Sequence, residues 1–211
     1  MDTQRPAIFT LVSVPIIGQL GPDSKIVERE PCAACGVSYR EEVTFLDYEF
    51  DTWERAELIK AGHDNYAITR RLYEVFQKAG LKGLSTQPMK TSRGETFEQI
   101  DPQHKVIIPE FLRLIIVGKG DGPSGWWERG ETCPVCGRPR WKRTEAATKA
   151  LFSTFSKEPV PPRLVSVAAW QGDDVFLLTD PGPPVVSDRF RQIAEEQKVE
   201  GLEFSPAQWV A

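Results

Sequence analysis

Cys32-Ala33-Ala34-Cys35-Gly36 and Cys133-Pro134-Val135-Cys136-Gly137 are two copies of one pattern, C-x-x-C-G, and together they use every cysteine in the 211-residue chain. Two residues between thiolates let both sulfurs reach one tetrahedral ion at about 2.3 Å. A glycine after the second cysteine permits the positive-φ turn of a metal knuckle. Two such knuckles supply four ligands, which closes the coordination sphere and leaves no position for a catalytic water. Cys32, Cys35, Cys133 and Cys136 are therefore predicted to hold one structural Zn2+. The long insertion between the pairs is compatible with this, because loop closure costs only about 0.6 kcal/mol per doubling of length. Two other readings remain. One C-x-x-C could be a redox site, although that site needs a helix starting at its first cysteine, and Gly36 or Gly137 would weaken such a helix. Alternatively the cysteines are vestigial and the fold stands without metal.

Outward from the first knuckle, Lys25 to Arg29 reads as a short strand and Val37 to Phe45 as its return, which places the cysteines at a hairpin tip. Ile8 to Ile17 reads as an edge strand because Pro15 removes a ladder donor, and Gly21-Pro22-Asp23 as a turn. Thr52 to Ala61 is weakly helical. Ile68, Leu72, Val75, Phe76 and Ala79 recur at three-and-four spacing and predict a helix over 68–78, ended by Gly80. Thr86 to Gln103 is polar, with Pro88, Gly94 and Pro102, and reads as a long loop. Val106 to Ile108 and Leu112 to Val117 read as strands, and Gly118 to Gly125 as a flexible turn. After the second knuckle, Thr144 to Phe155 predicts a short helix, closed by a linker holding Pro159, Pro161 and Pro162. Leu164 to Trp170 and Val175 to Leu178 flank Gly172-Asp173-Asp174 and predict a hairpin. Pro181 to Pro184 reads as a second linker, and Ser187 as the N-cap of a helix from Asp188 to Lys198.

The expected fold is α+β: antiparallel sheets with a few helices, around a zinc-ribbon-like site. It is expected to form a single domain over 1–211 with two sub-lobes, about 1–130 and 131–211, sharing the metal. Leu72, Val75, Leu81, Gly83 and Leu84 match Phe190, Ile193, Val199, Gly201 and Leu202 at a constant offset of 118 (190 minus 72). The cysteine pairs are 101 apart (133 minus 32), out of step with the helices. The match is either a chance likeness of two amphipathic helices or the mark of a duplicated unit.

With 40% hydrophobic and 27% charged residues, the chain can bury a core. Its net charge of -4 opposes general nucleic-acid binding. The apolar stretch after Met1 is broken by Pro15 and Gly18 and lacks the basic start of a secretory signal, and no stretch is long enough to span a bilayer. These features point to the cytoplasm, where thiols stay reduced and suit a metal, with no membrane partner. His63 and His104 stand apart from any nucleophile pattern and read as surface residues. Gly118-Lys119-Gly120-Asp121-Gly122 lacks what a phosphate loop needs. The chain is therefore expected to bind, not to catalyse.

Two C-x-x-C-G motifs about a hundred residues apart, with Ser187-Asp188-Arg189-Phe190 and Gly201-Leu202-Glu203-Phe204-Ser205-Pro206 near the end, resemble the double-CXXCG motif family of myxobacteria. Members of that family include immunity proteins for swarm-inhibition toxins. The resemblance implies a cytoplasmic antidote that binds a cognate protein toxin, and it locates no interface residue. Charge suggests where contact would occur: Glu41 to Glu57 carries seven carboxylates against Arg55 alone, with Tyr48 and Trp53 as anchors beside Glu49 and Asp51. The same stretch, alternating polar and aromatic, also reads as a solvated sheet face. The competing class is a zinc-ribbon nucleic-acid binder that uses Arg138, Arg140, Trp141, Lys142 and Arg143.

Overall fold

The computed structural model describes residues 5–27, 30–37, 42–62, 64–123, 125–152 and 161–211. The first half runs β1 (Ile8–Ser13), β2 (Gly18–Leu20), β3 (Lys25–Val27), β4 (Glu42–Phe45), β5 (Asp47–Phe50), β6 (Leu58–Lys60), β7 (Tyr66–Thr69), α1 (Arg70–Lys78), β8 (Leu84–Pro88), β9 (Lys90–Arg93) and α2 (Glu95–Ile100). The second half runs β10 (Phe111–Ile116), β11 (Gly118–Gly120), β12 (Trp127–Thr132), β13 (Pro139–Arg143), α3 (Glu145–Phe152), β14 (Arg163–Ser166), β15 (Val175–Leu178), β16 (Val185–Ser187), α4 (Asp188–Glu196) and β17 (Glu203–Val210). The fold is thus mixed α+β, mostly sheet, with four α-helices among the described residues.

Two sheets carry the main helices. One has the order β6-β7-β10-β8 and the other β11-β15-β16-β1-β17-β14; a three-stranded sheet β2-β5-β9 and the hairpins β3-β4 and β12-β13 complete the set. Helix α1 forms because Leu72 and Phe76 lie one turn apart on a polar segment and bury together. The Thr69 hydroxyl accepts the Leu72 N–H at its start. At its end Gly80 takes φ +69°, and the Leu81 N–H reaches the Phe76 carbonyl, closing a Schellman turn. Helix α4 repeats this in detail: Ser187 accepts the Phe190 N–H, Lys198 takes φ +56°, and the Val199 N–H reaches the Ala194 carbonyl. The helices pack together through Phe76 and Phe190, whose rings lie 5.0 Å apart. They share one core with Leu58, Ile68, Leu112, Leu11, Val175 and Val186. A second core gathers Leu46, Tyr48, Phe50, Ile59 and Phe111, and a third Ile8, Val165, Phe176 and Val185.

Several expectations are corrected. Strand β1 stops at Ser13 and lies between β16 and β17, so it is an interior strand and Pro15 falls beyond it. Thr52 to Ala61 holds bends and β6, not a helix, because Leu58 and Ile59 are fully buried on opposite faces of that strand. The polar Thr86 to Gln103 stretch is not a loop: it contributes β8, β9 and α2, its strands recruited by β10 and β5. Val106 to Ile108 is not a strand. Gly118 to Gly120 is a strand, parallel to β15, and a Cβ at Gly118 would sit 2.2 Å from the Val175 carbonyl oxygen, so close approach and not flexibility requires glycine there. The predicted hairpin after Leu164 does not form, since β14 pairs with β17 and β15 with β16 and β11. His63, Phe155 and Pro159 lie outside the described residues, as do Arg29 and Glu41.

Candidate metal centre

Both cysteine pairs sit in loops that close two-stranded hairpins. Strands β3 and β4 are in register at Ile26↔Val43, and β12 and β13 at Glu128↔Lys142. The loops are built alike. The Cys32 N–H donates to the Val37 carbonyl and the Gly36 N–H to the Cys32 carbonyl; the Cys133 N–H donates to the Arg138 carbonyl and the Gly137 N–H to the Cys133 carbonyl. Gly36 and Gly137 adopt φ +66° and +69°, and an added Cβ would meet nothing within 4 Å at either. Backbone conformation alone therefore explains both glycines.

The four Sγ atoms lie within 4.8 Å of one another although the pairs are far apart in sequence. Cys35 Sγ and Cys136 Sγ, one from each loop, are 3.7 Å apart. A tetrahedron with sulfurs about 2.3 Å from its centre has edges of about 3.8 Å, so this spacing suits an ion between them. It is far from the roughly 2.05 Å of a disulfide, and all four thiols are free. Cys32 and Cys133 are buried, while Cys35 and Cys136 are half-buried.

Local electrostatics prepare the cluster for a cation. Backbone N–H groups of Cys136 and Val135 point at Cys133 and hold its thiol down at about 6. Those of Ala34 and Cys35 lower Cys32 in the same way. At Cys35 the Val37 N–H also pulls downward, but desolvation and the neighbouring sulfurs outweigh it and push that thiol up to about 11. Without a positive charge the group resists full ionisation, because thiolates so close repel one another. A bound cation removes that conflict. The residues thus fit one metal ion with four sulfur ligands and a closed shell.

The expected contact residues are scattered by the fold. Tyr48 is fully buried in the second core, edge-on to Phe50 at 5.0 Å, and its hydroxyl, raised to about 12 by burial, accepts the Ile17 N–H. It is not a surface anchor, and this expectation is corrected: β5 is the central strand of its sheet and is covered on both faces. Glu49, Asp51 and Trp53 are half-buried, with the Trp53 indole donating to the Ala56 carbonyl. On β13, Arg140 and Lys142 are exposed, Trp141 is half-buried, and Arg143 lies over the Trp127 ring at 4.9 Å. His104 is exposed and pairs with Glu98 at 2.7 Å.

Of the five buried charged residues among those described, the two most deeply buried, Asp47 and Arg163, were not foreseen as core residues. Asp47 accepts the Asp23 N–H at 3.1 Å and faces Lys90 at 3.4 Å. Arg163, wholly buried, donates to Asp180 and to the Pro183 carbonyl. Neither carries a sequence signal, since burial of a lone charge depends on partners brought by distant elements. Among the described residues, no helix is long and apolar enough to cross a membrane. No protein-family model matches the chain, and comparison with curated proteins finds no match.

Proposed function

We propose that the chain is an immunity protein: in the cytoplasm it binds a cognate protein toxin and blocks it, on a scaffold held by structural zinc. The observation that supports this is the four-thiol cluster, because the same cysteines that gather in space carry the resemblance to the double-CXXCG family. Thiolate donors in tetrahedral spacing favour zinc over harder cations. A closed shell gives the ion a structural role and leaves recognition to the protein surface, so the activity is binding and not turnover.

Elemental analysis of protein purified without added metal should give about one zinc per chain; metal-free, fully folded protein would sink the zinc reading. Contact with the toxin is assigned to Glu49, Asp51 and Trp53, without Tyr48. Reversing Glu49→Lys and Asp51→Lys together should weaken toxin binding by several kcal/mol if the toxin presents a cationic cleft. The test is a two-strain competition against toxin-producing neighbours, with circular dichroism to confirm folding. Wild-type survival of the double variant would remove this face from the interface, and failure of the unaltered chain against every toxin would remove the immunity reading.

A second reading, nucleic-acid binding through the second ribbon, is favoured by exposed Arg140 and Lys142 flanking Trp141. Salt separates the two: phosphate binding falls steeply with ionic strength, whereas a packed protein interface loses less.

A further inference from the structure

We propose that the chain is two copies of one unit that exchange their first strands and draw the thiol cluster from both, so that neither half can complete its own sheet. This inference stands apart from the immunity reading.

The order of elements repeats without permutation: a first strand (β1, β10), a cysteine hairpin (β3-β4, β12-β13), two strands (β6-β7, β15-β16), a helix (α1, α4) and a last strand (β8, β17). Strand pairing repeats residue by residue. Leu112 stands between Ile68 and Pro88; Phe9, 103 positions earlier, stands between Val186 and Pro206, which lie 118 positions after Ile68 and Pro88. The pairing Leu58↔Ile68 recurs as Val175↔Val186.

Polar contacts repeat as well. The Thr69 N–H donates to the Glu57 carbonyl at 2.8 Å and the Thr69 hydroxyl to the Glu57 carboxylate at 2.8 Å; Ser187 does the same to Asp174 at 2.8 and 2.7 Å. The first amide of each helix donates across the exchange, Arg70 to Glu110 and Asp188 to Ala7. Two unrelated amphipathic helices have no reason to share register, N-cap, capping carboxylate and Schellman turn. The offset is 101 at the cysteines and 117 at Leu58/Val175, which places the extra chain of the second unit between its hairpin and β15. That insertion is what put the motifs and the helices out of step.

The exchange follows from where the first strands lie. Strand β10, which opens the second unit, separates β7 from β8 of the first; β1, which opens the first, separates β16 from β17 of the second. Without the exchanged strand the two strands beside it lose their ladder partner in the middle of the sheet. The Cys35–Cys136 contact at 3.7 Å crosses the same boundary.

The experiment inserts a protease recognition sequence between Gln103 and His104, in the exposed turn between α2 and β10, and cleaves the folded, metal-loaded chain. The two fragments should co-elute at the mass of the uncut protein, with circular dichroism and metal content unchanged. After separation in denaturant, each alone should lack protected amides, and mixing them should restore the fold with one metal per pair. Fragments that part without denaturant, or either one folding alone, would overturn the proposal. Should the insertion prevent folding, hydrogen exchange on the unaltered chain decides: amides of β7, β10, β16 and β1 should share one opening free energy, and two separate values would refute strand exchange.

Discussion

The cysteine loops and the helix-covered sheets both occur twice in the chain, yet they differ in what supports them. Around α1 and α4, Leu72, Phe76 and Phe190 are almost completely removed from water, and burial of that order contributes about 1.5–3 kcal/mol per side chain. The hairpin β12-β13 has no such support, since Glu128 to Thr132 are all exposed. A two-stranded ribbon of that kind is marginal in water. The first hairpin is intermediate, since Val43 of β4 reaches the second core with Ile26 packed against it, whereas β12-β13 puts no side chain into any of the three cores and has the most to gain from an ion held by the four sulfurs.

That contrast can be broken at either end. The largest effect is expected at the sulfurs: Cys35→Ser or Cys136→Ser should abolish metal binding and lower the melting temperature by more than about 10 °C, because a four-thiolate site contributes on the order of 10 kcal/mol of apparent binding energy. Calorimetry with elemental analysis checks this, and an unchanged transition in either variant would refute it. Hydrogen exchange should show amides of β3-β4 and β12-β13 losing protection before those of α1 and α4. Next come Phe76→Ala and Phe190→Ala, which open a cavity between the helices and should cost about 3–5 kcal/mol each in urea unfolding. A loss below about 1 kcal/mol at both would mean the helices do not depend on that contact.

Smaller changes sharpen the likeness of the two units. Thr69→Ala and Ser187→Ala each remove an N-cap and a hydrogen bond to a carboxylate, and each should cost about 1–2 kcal/mol. Costs that differ widely between the two sites would show that the units, alike in geometry, are unlike in energy. The smallest effect belongs to Gly36→Ala and Gly137→Ala, about 1 kcal/mol apiece, since a side chain there meets only the cost of a left-handed backbone. Matched guanidinium melts of the two single variants and the double would show whether those costs add.

What the sequence disclosed were short-range patterns. The first cysteine hairpin tip, α1 with Gly80 and α4 with Ser187 are each written in a short stretch of chain, and each formed close to where it was expected; the β12-β13 hairpin around the second pair was not foreseen. What it concealed was set by distant partners. Lys90-Thr91-Ser92-Arg93 looks like loop, and becomes β9 only because β5 lies beside it in parallel register. Leu164 and Val175 look like neighbours across a turn, but their strands end up on either side of β16, β1 and β17. The acidic stretch did alternate with period two, yet alternation reports a strand and not a wet face: Asp47, Tyr48 and Phe50 are all fully buried. At the cluster, spacing was enough to single out the four cysteines that gather in space, while the interleaving of β1 and β10 had no local signature at all.

An ion bridging Cys35 and Cys133 also makes a closed loop of the 98 peptide steps between them (133 minus 35), which include α1 and the whole four-stranded sheet. Tension applied between the ends of the chain would run through the sulfurs and bypass everything inside that loop. At about 3.4 Å per residue, some 300 Å of contour would stay hidden until the coordination bonds gave way. An unfolding motor working inward from either terminus would therefore meet its principal obstacle at the cysteines, and the segment between Cys35 and Cys133 would be released in a single long step once the ion was lost.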